Sequence, residues 1–228
     1  MTMVGGVDGC RAGRVGVQRQ TGGPLSVHLY RTTAELMNAA PEFDLLAIDI
    51  PIGLEKTGSR TAYSLARKLI GPRASSVFPA PVRATLECET YDEACSKSLE
   101  ACGHQAFAIL PRIREVDNAV RNSQTLKRRV REAHPEVSFY YLNGERPLTR
   151  SKKSGLGFRD RYRLIEAFFG PVIDELRAAV SERDVADDDL LDALAVLWSA
   201  ERVIAGCSVG IPDRAERDCY GLPMHIVA

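Results

Sequence analysis

No stretch constrains the fold of this chain more than residues 45–54, Leu-Leu-Ala-Ile-Asp-Ile-Pro-Ile-Gly-Leu. It is an apolar, branched run of strand length that ends in Pro51 and Gly53. That is the pattern of a strand buried on both faces and followed by a sharp loop. A chain with such a strand must cover both sides of its sheet. Asp49 lies inside the run, where a carboxylate is costly unless its charge is compensated. Two readings of Asp49 stand side by side. In one it holds a metal ion at the C-terminal edge of an open α/β sheet, where ligands usually sit. In the other it caps the following loop or joins an ion pair.

The N-terminus supplies the neighbours of this strand. Residues 3–10 read as a strand with a second carboxylate, Asp8, near its end. Gly9 and Gly13 allow a tight turn. Residues 14–19 and 25–30 alternate, and Thr21-Gly22-Gly23-Pro24 is a turn between them, so the chain opens as a three-stranded meander. Thr32 or Thr33 caps a short helix that runs to about Ala39 and stops at Pro41. The expected result is an α+β-type mixed sheet. In it the first and fourth strands are neighbours, and Asp8 meets Asp49.

Residues 55–129 show no strand pattern and read as a helical insertion, with helices over 59–69, 91–102 and 105–121 and an irregular, Pro-rich loop over 71–83. Arg60, Arg67, Lys68, Arg73 and Arg83 give this insertion, which is suited to shaping a substrate cleft, a basic tendency, although each taken singly reads as part of a solvated face. Cys88, Cys95 and Cys102 fall seven apart, as thiols on one helix face. Residues 130–142 read as a strand interrupted at His134-Pro135-Glu136 by a bulge, which makes Glu136 a third acidic residue in the sheet. Asn143-Gly144 is a turn. Residues 149–157 form a polar, basic, Gly-rich loop, and helices follow over 158–169 and 172–183. Asp187-Asp188-Asp189 begins the strongest helical pattern, 190–204, where acidic residues complement the dipole. Asp192 stands among Leu190, Leu191, Ala193, Leu194 and Ala195, and Asp189 shares its face. A short return segment over 211–213 and 221–227 closes the chain.

At 228 residues and 45% hydrophobic content the chain reads as one domain over 1–228 with ample core. Formal net charge is zero, which excludes a whole-chain basic field. No run has membrane-spanning length and no signal peptide opens the chain, so a soluble cytoplasmic protein is expected. Its oligomeric state is not legible. A local surplus, fourteen Lys and Arg against six Asp and Glu over 112–163, offers a phosphate-binding face or a basic surface balanced by the acidic C-terminal third.

Asp8, Asp49, Glu136 and Asp189 or Asp192 come from strands and a helix, all in apolar surroundings. Such a set suits Mg²⁺ or Mn²⁺, hard ions that prefer carboxylate oxygen and water. Two ions about 4 Å apart can activate a water and stabilise the leaving oxygen of a phosphodiester. Lys152 and Lys153 are candidate phosphate contacts, as is Arg11, which has an ion pair as its alternative role. His134 reads either as a group that positions or deprotonates a water or as a structural histidine beside Pro135.

The segments 6–11 Gly-Val-Asp-Gly-Cys-Arg, 48–54 Ile-Asp-Ile-Pro-Ile-Gly-Leu, 76–83 Ser-Val-Phe-Pro-Ala-Pro-Val-Arg and 134–139 His-Pro-Glu-Val-Ser-Phe occur in this order. Next come 151–155 Ser-Lys-Lys-Ser-Gly, 188–195 Asp-Asp-Leu-Leu-Asp-Ala-Leu-Ala and 221–224 Gly-Leu-Pro-Met. Together they resemble the DUF429 family of predicted nucleases with a ribonuclease H-like fold, over nearly the whole chain. The resemblance implies a ribonuclease H-like mixed sheet, a three-stranded antiparallel meander plus parallel strands, flanked by helices. It implies Asp8, Asp49, Glu136 and Asp192 as metal ligands. In ribonuclease H proper the first helix gives an acidic ligand; Glu35 is the only analogue, and it reads as a surface residue. The leading expectation is a metal-dependent nuclease acting on DNA or RNA. The alternatives are an actin-like phosphotransferase or nucleotide hydrolase and a non-catalytic nucleic-acid-binding domain.

Overall fold

The computed structural model describes residues 1–98 and 103–228. Strands β1 (Met3–Cys10), β2 (Gly13–Gln20) and β3 (Ser26–Tyr30) form the opening meander, and helix α1 (Thr33–Ala39) leads to β4 (Leu45–Ile48). Thr32 caps α1, its hydroxyl accepting the Glu35 N–H at 3.1 Å. Helices α2 (Thr61–Ile70), α3 (Tyr91–Lys97), α4 (His104–Asn122) and α5 (Gln124–Arg129) then separate β4 from the short strand β5 (Val130–Glu132). The rest is α6 (Pro135–Leu142), α7 (Gly155–Phe169), α8 (Ile173–Ala178), α9 (Asp187–Ile204), β6 (Gly210–Arg217) and β7 (Pro223–Val227).

The five-stranded sheet has the order β3-β2-β1-β4-β5. β1 is antiparallel to β2 and parallel to β4, and β4 is parallel to β5. β1 and β4 are flanked on both edges and covered on both faces, which is why their residues are almost wholly buried. On one face Val4, Val15, Val17, Leu45 and Ala47 pack with α9, α7 and α8. On the other, Val7, Leu46 and Ile48 pack with α1, α4 and α5. β6 and β7 form a separate two-stranded sheet, joined to the first through a parallel bridge between Ala133 and Val227. No helix among the described residues is long and apolar enough to cross a membrane.

Several sequence expectations change here. The strand expected over 130–142 stops at Glu132, and residues from Pro135 form α6. Pro135 occupies the first helical turn, where a missing N–H is harmless and its φ suits the helix. His134 is the N-cap, its Nδ1 accepting the Glu136 N–H at 3.2 Å. Residues 135–139 are all buried, so this helix carries no polar stripe to betray its period. Glu136 is thus helical, and no bulge is present at 134–136. The Asn143-Gly144 turn does form, but it ends α6, with Gly144 at φ 65°. The helix expected over 172–183 is only α8. α4 continues through Pro111. The shared cysteine face does not form: Cys88 lies at the end of a 3₁₀ turn and Cys95 in α3, while residue 102 lies outside the described residues. The helix expected over 91–102 is described only as α3, and residues 99–102 of it also lie outside them.

Candidate acidic centre at the sheet edge

Strand pairing brings the first two carboxylates together. Val7 and Ile48 are the last register partners in the parallel β1–β4 pair, so the next residues, Asp8 still within β1 and Asp49 just past β4, lie side by side at the C-terminal edge of that pair. The Asp49 N–H donates to the Val7 carbonyl at 3.0 Å, holding this register one step past β4. Alternation along β1 sends Gly6 and Asp8 toward α9. At Gly6 the backbones nearly touch: a Cβ there would lie 2.0 Å from the Leu197 nitrogen and 2.5 Å from the Ala193 carbonyl oxygen. Only glycine allows this approach. It brings Asp192, in the first half of α9, against Asp8.

Asp8 is 7% exposed and Asp192 3%. Burial, then the negative charges of Asp192 and Asp49, push the Asp8 carboxyl well above the usual carboxylate range. Burial likewise raises Asp192, to about 6, against the pull of Lys152. The Lys152 ammonium sits on the Asp192 carboxylate and lies 3.3 Å from Asp188. Burial works against that charge, but Asp192, Asp8 and Asp188 outweigh it and hold the ammonium protonated beyond the normal lysine range. Lys152 therefore supplies the local positive charge of the centre, from the loop between α6 and α7. Lys153 pairs with Asp188 at 2.9 Å.

The other sequence candidates are placed differently. Glu136 is buried and held by Arg161, whose Nη2 donates to both carboxylate oxygens at 2.6 and 2.7 Å. Its charge still reaches Asp192. Asp189 turns back to accept the Ala186 N–H at 3.2 Å, closing the N-terminus of α9. His134 has both ring nitrogens engaged, Nδ1 as the cap of α6 and Nε2 beside the Ser76 carbonyl at 3.3 Å. Arg11 is exposed and donates to the Arg183 carbonyl at 3.1 Å. Glu35 is exposed on α1. Much of the 112–163 basic surplus is used internally, Arg129 and Arg131 donating to backbone carbonyls.

Two arginines expected on solvated faces are drawn into ion pairs, Arg60 fully buried and Arg83 half-buried. Arg60 is 1% exposed and makes a two-pronged pair with Glu132 at 3.0 and 2.7 Å. Glu132 also accepts the Ile52 N–H at 2.8 Å, which fastens the loop directly after Asp49. Arg83 pairs with Asp117 at 3.0 Å and with Asp218. Sequence reasoning misses Glu132 and Arg161 and sets Arg60 on a solvated face, because the ion-pair partners lie 72 and 25 residues apart along the chain. The one available signal was that Glu132 is a carboxylate inside a segment with a strand pattern.

Among the described residues no three His, Cys, Asp or Glu side chains are gathered closely enough to hold a metal ion as they stand. The donor set nevertheless suits a hard cation. Asp8, Asp49 and Asp192 repel one another, and a lysine ammonium already occupies the position of the missing positive charge. What fold and site define is a mixed α/β protein with a buried acidic centre at the C-terminal edge of its parallel strands. A family model described as protein of unknown function (DUF429) matches residues 6–217, and the chain belongs to that family. No curated protein and no solved structure matches it.

Proposed function

We propose that the protein is a metal-dependent phosphodiesterase of nucleic acids, built on a ribonuclease H-like sheet. The antiparallel meander continued by two parallel strands supports that fold assignment. One observation carries the functional reading: buried carboxylates from β1 and α9 and the half-buried one just past β4 act on one another, and their local counter-charge is an ammonium on a loop. A fixed structural ion pair needs one carboxylate per cation; this centre holds a surplus.

Asp8, Asp49 and Asp192 would hold Mg²⁺ or Mn²⁺. When bound, the ion supplies an activated water and charge stabilisation at the leaving oxygen. With Lys152 displaced, these three carboxylates are the donor set of one ion, and a second requires Glu136 to leave Arg161. Lys152 holds the centre in its metal-free form and, displaced toward solvent, becomes available to a substrate phosphate. Glu132 and Arg60 fix the loop behind Asp49 and keep its carboxylate at the edge.

Millimolar Mn²⁺ or Mg²⁺ is expected to raise the melting temperature, and Asp8→Asn with Asp49→Asn to abolish the rise. Labelled single- and double-stranded DNA, RNA and hybrids should be cleaved only with metal and only by the unaltered centre. Cleavage that survives the double substitution sinks this assignment. ATP turnover without strand cleavage points instead to a nucleotide hydrolase, and a melting temperature indifferent to metal to a non-catalytic binding domain.

A further inference from the structure

Among the described residues Arg14 is the least explained buried charge. It is 3% exposed, yet its Nε and Nη2 have no hydrogen-bond partner, and among the described residues it makes no ion pair. Arg60 and Arg161, buried to the same degree, are each locked onto a carboxylate. A buried guanidinium without partners is strongly unfavourable. Burial and the like charge of Arg112 lower its pKa, and Asp8, Asp49 and Glu115 restore part of the loss without touching it.

Its position is specific. Arg14 faces Gly9 across the β1–β2 ladder, at the strand end that carries Asp8. Val15 and Val17 point toward α9, so Arg14 projects from the opposite face, toward Arg112 and Glu115 of α4. There is room beside it: a Cβ on Gly9 would meet no described atom within 4 Å. The acidic centre and the unpaired guanidinium thus lie on opposite faces of one sheet edge.

We propose that Arg14 is an anion-binding residue for a phosphate group of the substrate, one that lies across the edge from the acidic centre. The inference rests on the phosphodiesterase reading for the identity of the substrate, but not for the binding itself. A guanidinium offers paired donors that match two phosphate oxygens. Bound phosphate would satisfy the Nε and Nη2 groups, with Arg112 adding charge from α4. A substrate that reaches both places carries at least two phosphates, either neighbouring phosphates of a polynucleotide or the phosphate chain of a nucleotide.

The test measures binding in EDTA, where no cleavage occurs. Inorganic phosphate, ATP and a single-stranded hexanucleotide are titrated into the full chain and into Arg14→Met and Arg14→Lys. The hexanucleotide or ATP should bind the wild type, and Arg14→Met should weaken that binding about tenfold or more. Arg14→Lys should recover part of it. Whichever of the two probes shows the larger Arg14 effect names the source of the phosphate. Arg14→Met should melt no lower than wild type, because methionine removes an unpaired charge and keeps the packing, and the Mn²⁺-dependent rise should persist. Unchanged affinity in Arg14→Met, no binding of any probe by the wild type, or a large fall in melting temperature for both variants overturns the proposal. Loss of nuclease activity in Asp8→Asn leaves it untouched, so the two readings fail separately.

Discussion

Gly6→Ala tests directly whether the contact between β1 and α9 builds the acidic centre. The added methyl would lie 2.0 Å from the Leu197 nitrogen, 2.4 Å from its Cα and 2.5 Å from the Ala193 oxygen. Ordinary contacts between heavy atoms are about 3.5–4.0 Å, so α9 must retreat by roughly 1.5 Å. All three atoms are helix backbone, and no side chain can swing away to absorb the methyl. Overpacking of this kind costs about 1–3 kcal/mol, and a rigid helix on a central strand puts the change at the upper end. For a chain of this size the melting temperature should fall by roughly 5–10 °C. The same retreat carries Asp192 away from Asp8, so the stabilisation by Mn²⁺ should shrink with it. Gly9→Ala, three residues along the same strand, is the matched control for stability, because its Cβ meets nothing within 4 Å. Thermal melts followed by circular dichroism, with and without Mn²⁺, read both quantities. A Gly6→Ala variant that melts with the wild type and keeps its full Mn²⁺ response would refute the proposed geometry.

Asp8 is raised well above its normal value and Asp192 from 3.8 to about 6 in the fold. A raised carboxyl contributes stability that is present below about pH 4 and is lost as pH climbs through 6, Asp192 alone accounting for at most about 3 kcal/mol. The metal-free protein should therefore lose stability from about pH 4 up through pH 6 through these groups, and either Asp192→Asn or saturating Mn²⁺ should flatten that slope in melts across pH. Lys152→Met removes the resident cation; Mn²⁺ affinity by calorimetry should rise, and a fall would show that Lys152 assists the metal. Glu136→Gln leaves the Arg161 guanidinium buried with a weakened partner and should cost about 3–5 kcal/mol. Chemical denaturation of a double variant with Arg161→Met should lose less than the sum of the two singles, and strict additivity would deny the pairing.

The legible parts of the fold share one property: their signals are local. The meander shows in alternation and in Gly-rich turns, the buried strand in a branched run that ends at Pro51, α1 in its Thr32 cap. Asp8, Asp49 and Asp192 could each be singled out because a carboxylate among aliphatic residues is an anomaly visible within a few positions. Their convergence was readable only as an expectation from strand order. Pro135 read locally as a strand breaker, but it opens α6, because the burial of residues 135–139 comes from packing rather than from period.

By itself, then, the sequence determined the opening strands, the helices with a local period or cap and the residues whose charge needs an answer. Tertiary structure alone decided what the answer is. Glu136 goes to Arg161, Glu132 to Arg60 and Asp189 to its own helix end, while Asp192 meets Lys152 beside Asp8. The physical reason is that a charge is compensated by whatever lies within a few ångströms, and such neighbours are set by how sheet and helices pack across long stretches of chain.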